Sequence, residues 1–195
     1  MKKTNPITLL RPFYLVILAF VVYSCGTTSS IHSSDATTSN LDLSNYENVV
    51  VELFSDGTKK SNVPNYFLEK FQQQIIASIK EKDIFNNVSA EVVDSTTIPK
   101  TLFIKGSVTR YEEGDPTARL LIGLGEGSSY LDAKIHLVDS ATKKQIGEII
   151  VDKNSWGLGG LIAANQTVET FMVGAAKKIA SELEKLNAPK TNLAL

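Results

Sequence analysis

Phe67, Phe71, Ile75 and Ile79 recur every fourth residue, with Leu68 and Ile76 beside them and Glu69, Lys70, Gln73, Lys80 and Glu81 falling largely elsewhere. That stripe predicts an amphipathic helix lying on a core. Pro64 opens it, a position where the missing N–H is harmless. A second stripe, Val168, Phe171, Met172, Ala175, Ile179, Leu183 and Leu186, predicts a helix over Ala163–Leu186. Gly174, Ala175, Ala176 and Ala180 keep its face thin, so it can approach a sheet closely. Met172 reads as core filling rather than a cofactor contact.

Between the helices the period changes to two. Leu102, Ile104, Gly106 and Val108 alternate with Lys105, Ser107 and Thr109 up to Tyr111, and Leu131, Ala133, Ile135 and Leu137 alternate with Asp132, Lys134 and His136 across Tyr130–Asp139. One dry face and one wet face predict antiparallel pairing. Ala141-Thr142-Lys143-Lys144 turns the chain, and Ile146–Asp152 returns as a hairpin partner. Tyr46–Phe54 is β-branched and apolar, a buried strand that Ser55-Asp56-Gly57 breaks. Val88–Val93 is a short strand. The expected fold is α+β: a two-layer sandwich with a mostly antiparallel sheet of four to five strands and both amphipathic helices on one face. The domain spans 43–187, and 188–195 reads as a disordered tail. No internal repeat is visible.

The N-terminus has a different pattern. Lys2, Lys3 and Arg11 precede an uncharged run, Pro12–Tyr23. The run has the length of a signal-peptide core and falls short of the ~20 residues of a spanning helix. Val22-Tyr23-Ser24-Cys25 resembles a bacterial lipobox, with Tyr23 larger than the usual residue at its position. The resemblance implies a signal peptide over 1–24, a diacylglyceryl group on the Cys25 thiol and acylation of its new amine. Several acyl chains hold a protein on a bilayer where one does not. Gly26 in place of Asp resembles outer-membrane cargo in a Gram-negative host. In Gly26–Asn40 nine of fifteen residues are Ser or Thr. They offer no apolar face to offset the entropy of ordering, so residues 25–42 are expected to be a lipidated tether. Extended it reaches ~50 Å; as a coil it spans roughly 20 Å, enough for the domain to stand off from the bilayer.

Composition narrows the chemistry. The 195 residues carry 20 Lys+Arg and 21 Asp+Glu, for a net charge of −1. Without residues 1–24 the balance is 17 against 21, or −4. That mild acidity, with no basic stripe, argues against nucleic acid, whose phosphates need clustered cations. One cysteine excludes an internal disulfide and a multi-cysteine metal site within one chain. Two histidines, His32 in the Ser/Thr tract and His136 on an outward strand position, supply metal or triad chemistry poorly. No metal, cofactor or nucleotide is expected. No G-x-S-x-G is present, and no catalytic residue is assigned.

Two glycine-rich stretches stand out. In Tyr111–Tyr130, Gly123, Gly125 and Gly127 alternate with Leu124 and Glu126. The spacing is neither G-x-G-x-x-G nor a P-loop. A bend or close backbone approach accounts for it, and an exposed contact loop is the alternative. Glu112, Glu113, Asp115 and Glu126 lack EF-hand spacing; Arg110 and Arg119 are expected to pair with them. In Asn154–Asn165, three glycines interleave with Leu158, Leu161 and Ile162 beside Trp156, the only tryptophan. Either the loop tucks Trp156 over the core or it is a contact patch. The residues that would carry a partner contact are Gly123, Leu124, Gly125, Gly127, Trp156, Leu158 and Leu161.

Gly106-Ser-Val108-Thr-Arg-Tyr111-Glu-Glu-Gly114, then Arg119, Gly123-Leu-Gly125-Glu-Gly127 and Leu137-Val-Asp139-Ser-Ala-Thr142, resembles a bacterial lipoprotein family classed as Domain of Unknown Function forty-four-ten. The match covers about half of the mature chain. Where that family shows Thr-Gly-Lys in the turn, this chain has Thr142-Lys143-Lys144, and Lys143 in a left-handed conformation would be strained. The family carries no activity and no catalytic residue over to this chain. At fold level the element order is also similar to small α+β domains of two envelope lipoprotein groups, one activating penicillin-binding proteins and one building the curli export pore.

The expectation is therefore a non-catalytic lipoprotein of the cell envelope, held in the outer membrane through acylated Cys25 and facing the periplasm. Its domain would bind an envelope protein in secretion or wall assembly. A periplasmic hydrolase using Asp/Glu, and a self-assembling structural subunit, are the alternatives.

Overall fold

The structure, a computed structural model, describes residues 29–32, 41–60, 62–91, 100–121, 127–154 and 166–188. In chain order the elements are β1 (Ser29–His32), β2 (Asn48–Val51), β3 (Ser55–Asp56), α1 (Asn65–Lys80), β4 (Asn87–Ser89), β5 (Thr101–Glu112), α2 (Pro116–Leu121), β6 (Tyr130–Asp139), β7 (Gln145–Asn154) and α3 (Val168–Asn187). The fold is the expected α+β type with both long helices side by side on one face of the sheet.

The sheet is larger and more mixed than the alternation suggested. It has seven strands in the order β1-β7-β6-β5-β2-β4, with β3 also on β5. β5, β6 and β7 form the expected antiparallel meander, but β2 and β3 run parallel to β5, and β4 runs parallel to β2. The cause is the helix crossover: α1 carries the chain back across the sheet, so β4 enters in the direction of β2. Val49, Val50 and Val51 are all buried, which is why β2 reads as a run rather than an alternation. Ser55–Asp56, expected only to break a strand, makes its own short one.

The Ser/Thr tract also contributes. Ser29–His32 pairs antiparallel with β7, Ser29 opposite Val151 and His32 opposite Glu148. Four residues of the expected tether thus lie along the edge of the sheet. Cys25 and the segments 1–28 and 33–40 lie outside the described residues.

Inward-facing Ile104, Val108, Leu131, Ala133, Ile135, Leu137, Ile149 and Val151 meet Phe67, Phe71, Ile75, Ile79 and the small face of α3, all buried. Each fully buried large side chain here contributes roughly 1.5–3 kcal/mol. Gly106 makes room for Phe54, whose ring stacks edge-on against Phe71 at 5.2 Å. A Cβ at Gly106 would meet Phe54 Cε2 at 2.6 Å and the Lys134 carbonyl oxygen at 2.7 Å. In β5 the register slips between Val108 and Arg110, so Thr109 is an extra residue. The slip keeps Tyr111 on the inner face, 4.9 Å from Phe67. α3 starts at Val168, the first residue of the stripe, rather than at the expected Ala163, because Thr167 and Thr170 cap each other reciprocally.

The β6–β7 turn is built on Asp139. Its Oδ1 accepts from the Thr142 N–H and hydroxyl, both at 2.6 Å, and its Oδ2 accepts from Tyr46 Oη at 2.9 Å. Lys143 takes φ +58°, the left-handed conformation that the Thr-Lys-Lys sequence made costly.

Lys143→Gly is expected to stabilise the domain by about 0.5–1 kcal/mol, with part of the gain offset by losing the ammonium 5.3 Å from the Phe103 ring. Gly106→Ala is expected to destabilise by about 1–3 kcal/mol. Urea unfolding checks both; an unchanged midpoint for Gly106→Ala would contradict the packing described.

Candidate functional site

The row Glu112–Tyr130–Asn154 ends the meander, each residue opposite the next across β5, β6 and β7. Both glycine-rich stretches leave from this row. One follows β5 through α2 and returns into β6; the other follows β7 and returns into α3. Glu112 and Asn154, 42 residues apart in sequence, thus stand on strands separated only by β6 at one end of the sheet.

The roots are well tied. Gly114 (φ +71°) lies against Gly127 and Ser128, so close that a Cβ at Gly114 has no room. The Asp115 N–H donates to the Gly127 carbonyl at 2.9 Å, and Ser129 Oγ donates to the Glu113 carbonyl. These contacts cinch the α2 loop at its base. This is the close backbone approach that the glycine pattern suggested, and it falls at Gly114 and Gly127.

Each acidic residue at the root has a local task. Asp115 Oδ1 accepts from the N–H groups of Thr117 (2.8 Å) and Ala118 (3.2 Å) at the start of α2. Glu112 pairs with Arg110 at 2.9 Å, and that guanidinium lies 3.3 Å from the Tyr130 ring centre. Glu113 accepts from the Tyr111 hydroxyl at 2.7 Å. Burial, then Glu113, pushes the Tyr111 hydroxyl pKa upward, with Tyr66 alongside. On the α3 side, Lys153 lies over Gly174: a Cβ there would be 3.3 Å from its Nζ.

Gly127 is the one proposed contact residue within the described chain; Gly123, Leu124, Gly125, Trp156, Leu158 and Leu161 lie outside the described residues, as do Cys25 and Glu126. Two residues at this end escaped the sequence reading. Leu121, at the end of α2, is 76% exposed, and Tyr66, in the first turn of α1, is 54% exposed. Both sit in apolar stretches that look like core in one dimension. Among the described residues no group of three or more His, Cys, Asp and Glu could hold a metal ion, and no helix is long and apolar enough to cross a membrane.

Residues 26–159 match the family described as Domain of unknown function (DUF4410). The chain is a member of the DUF4410 family. No curated protein matches it. Among solved structures, this DUF4410 chain is similar to PelC from Paraburkholderia phytofirmans, solved as a dodecamer, with TM-score 0.54 and 10% identity over 84% of this chain and 100% of that one. A substituted PelC in a second crystal form gives TM-score 0.53 at 11% identity, again over 84% of this chain and 100% of that one. A lipoprotein from Neisseria meningitidis gives TM-score 0.40 at 12% identity, covering 71% of this chain and 98% of that one. At these identities the PelC likeness shows a shared fold.

The outer face of this DUF4410 sheet carries an unfavourable pair. Asp132 stands directly opposite Asp152. Burial first, then the Asp152 charge, raises the Asp132 pKa, while the Lys153 backbone and Arg110 oppose the rise. The folded state therefore holds that proton more tightly than the unfolded chain. Stability falls as pH rises from the unfolded carboxyl pKa near 4 through the raised value. Asp132→Asn is expected to stabilise by about 0.5 kcal/mol at pH 7 and to have no effect at pH 3, where the carboxyl is protonated in both states. Urea midpoints at the two pH values check this; a loss of stability at pH 7 would contradict it.

Proposed function

We propose that the protein is a non-catalytic, outer-membrane lipoprotein, anchored through acylated Cys25 and facing the periplasm. Its α+β domain binds an envelope protein that acts in secretion or wall assembly. The observation that carries the binding role is the common root of the two glycine-rich loops on the row Glu112–Tyr130–Asn154. One rigid sheet end roots both stretches, and we assign the partner contact to Gly123, Leu124, Gly125, Gly127, Trp156, Leu158 and Leu161. Loops positioned by a rigid scaffold are where proteins place recognition. The local engagement of Glu112 by Arg110, Glu113 by the Tyr111 hydroxyl and Asp115 by the α2 amides supports a binding role.

A second reading has one observation in its favour. The PelC structures of the same fold are dodecamers, and a self-assembling subunit would use copies of this chain as its partner.

Photoreactive residues at Leu124 and Trp156 in living cells test both. A recurrent adduct with one envelope protein is the expected result, and an adduct with a second copy would favour self-assembly. No adduct from either position, with the protein present at its usual level, would overturn both uses of the loops.

A further inference from the structure

The register of β1 sets which end of the domain meets the membrane. β7 runs toward the row Glu112–Tyr130–Asn154, and β1 runs antiparallel to it. Traced backwards from His32 to Ser29, the chain heads toward that row. Ser29 is opposite Val151, three residues short of Asn154, about 10 Å along the strand. Cys25 precedes Ser29 by four residues, a reach of at most ~14 Å. The acylated residue can therefore draw level with the loop end or pass it slightly. The opposite end, at Gln145, lies six residues from Val151, about 20 Å away, beyond that reach and against the direction of the chain.

Two of the three large apolar side chains exposed among the described residues lie at the loop end; the third, Leu53, sits between β2 and β3, level with the middle of β5. Leu121 is 76% exposed and Tyr66 54%, and the two loops rooted there carry Ile122, Leu124, Trp156, Leu158, Leu161 and Ile162. The opposite end presents Ala141, Thr142, Lys143 and Lys144, all exposed. An aromatic with a polar tip, such as Tyr66, suits the headgroup layer. The charges at the root have partners: Arg110 pairs with Glu112, the α2 amides bond Asp115, and the Tyr111 hydroxyl donates to Glu113.

We propose that the row Glu112–Tyr130–Asn154 faces the bilayer, with Leu121 and Tyr66 in contact with the lipid headgroup layer. The inference rests on the Cys25 acylation proposed above, and it confines any partner of the two loops to the membrane surface. The domain does not stand off on a long tether. β1 leaves only Gly26–Thr28 between anchor and sheet, and the headgroup layer is about 5–8 Å thick.

The sole tryptophan is a native probe, two residues past Asn154. The full-length protein, produced in a bacterial envelope and purified with its acyl chains, is reconstituted into vesicles of phosphatidylethanolamine and phosphatidylglycerol with brominated acyl chains. Mass spectrometry of the N-terminal peptide reads the anchor; fluorescence reads the orientation. Two further proteins carry Trp156→Phe with either Leu121→Trp or Lys144→Trp. The expected result is acylated Cys25, quenching of Trp156 and of Leu121→Trp by about twofold or more, as for groups 5–10 Å into the interface, and an unaffected Lys144→Trp. Acylated Cys25 with both loop-end probes unquenched, or with all three quenched alike, overturns the orientation and leaves the anchor standing. An unmodified Cys25 overturns the anchor and the orientation with it.

Discussion

β7 is ten residues long, and β6 satisfies only one of its edges. On the other edge, four residues of an otherwise polar segment supply the pairing from Glu148 to Val151. An open edge of that length is a template for unwanted strand addition, so β1 protects the sheet. It also fixes the chain's exit. Because antiparallel pairing reverses direction, β1 traced back to Ser29 heads toward the row Glu112–Tyr130–Asn154. For the acyl anchor proposed at Cys25, this pairing rather than the length of a tether would set its position relative to the folded domain.

The inner face of the sheet provides the rigidity that makes such placement useful. Gly106 admits Phe54, Phe54 packs on Phe71, and Phe67 on the same helix packs on Tyr111. The extra residue at Thr109 returns Tyr111 to the core one step before the loop begins. Core packing on α1 therefore continues up to the root of the α2 loop, and the Gly114–Gly127 approach closes that root. The small residues of α3, Ala175, Ala176 and Ala180, let the second helix lie equally close. The far end of the sheet is shaped for closure instead: Asp139 ties the hairpin turn to Tyr46. Burial first, then Asp139, pushes the Tyr46 hydroxyl up to about 12, and the hydrogen bonds from Thr142 lead in holding the Asp139 carboxyl below its ordinary value.

Much of this was written in the residue pattern. The limits Tyr130–Asp139 for β6 follow from an uninterrupted alternation with one wet face, and α1 follows from a four-residue stripe with Pro64 at its start. The strands at β2 and β4 were visible but their parallel direction was not, since β2 is buried on both faces and β4 has only three residues, and the two-residue β3 was missed. β1 gave no signal because its single apolar residue, Ile31, cannot define a period; the pairing comes from β7. The glycines of Tyr111–Tyr130 announced a tight backbone contact, but the alternation Gly123-Gly125-Gly127 did not reveal that Gly114 would be the other half of it. The exposure of Leu121 was not legible, because α2 is a single short helix and nothing in the chain's pattern says which way it faces.

The pairing of β1 with β7 is tested most directly by cross-strand oxidation in the full-length protein. Ser30 is opposite Ile150 and is offset by two residues from Glu148. Cysteines replacing Ser30 and Ile150 stand in direct register, within disulfide range, whereas cysteines replacing Ser30 and Glu148 are separated by more than the ~7 Å a bridge can span. The expected result is rapid closure of the Ser30–Ile150 pair and little closure of the Ser30–Glu148 pair. Equal closure of both pairs, or of neither, would show that the segment is not held in this register, and the anchor would then be free to sit at either end of the domain.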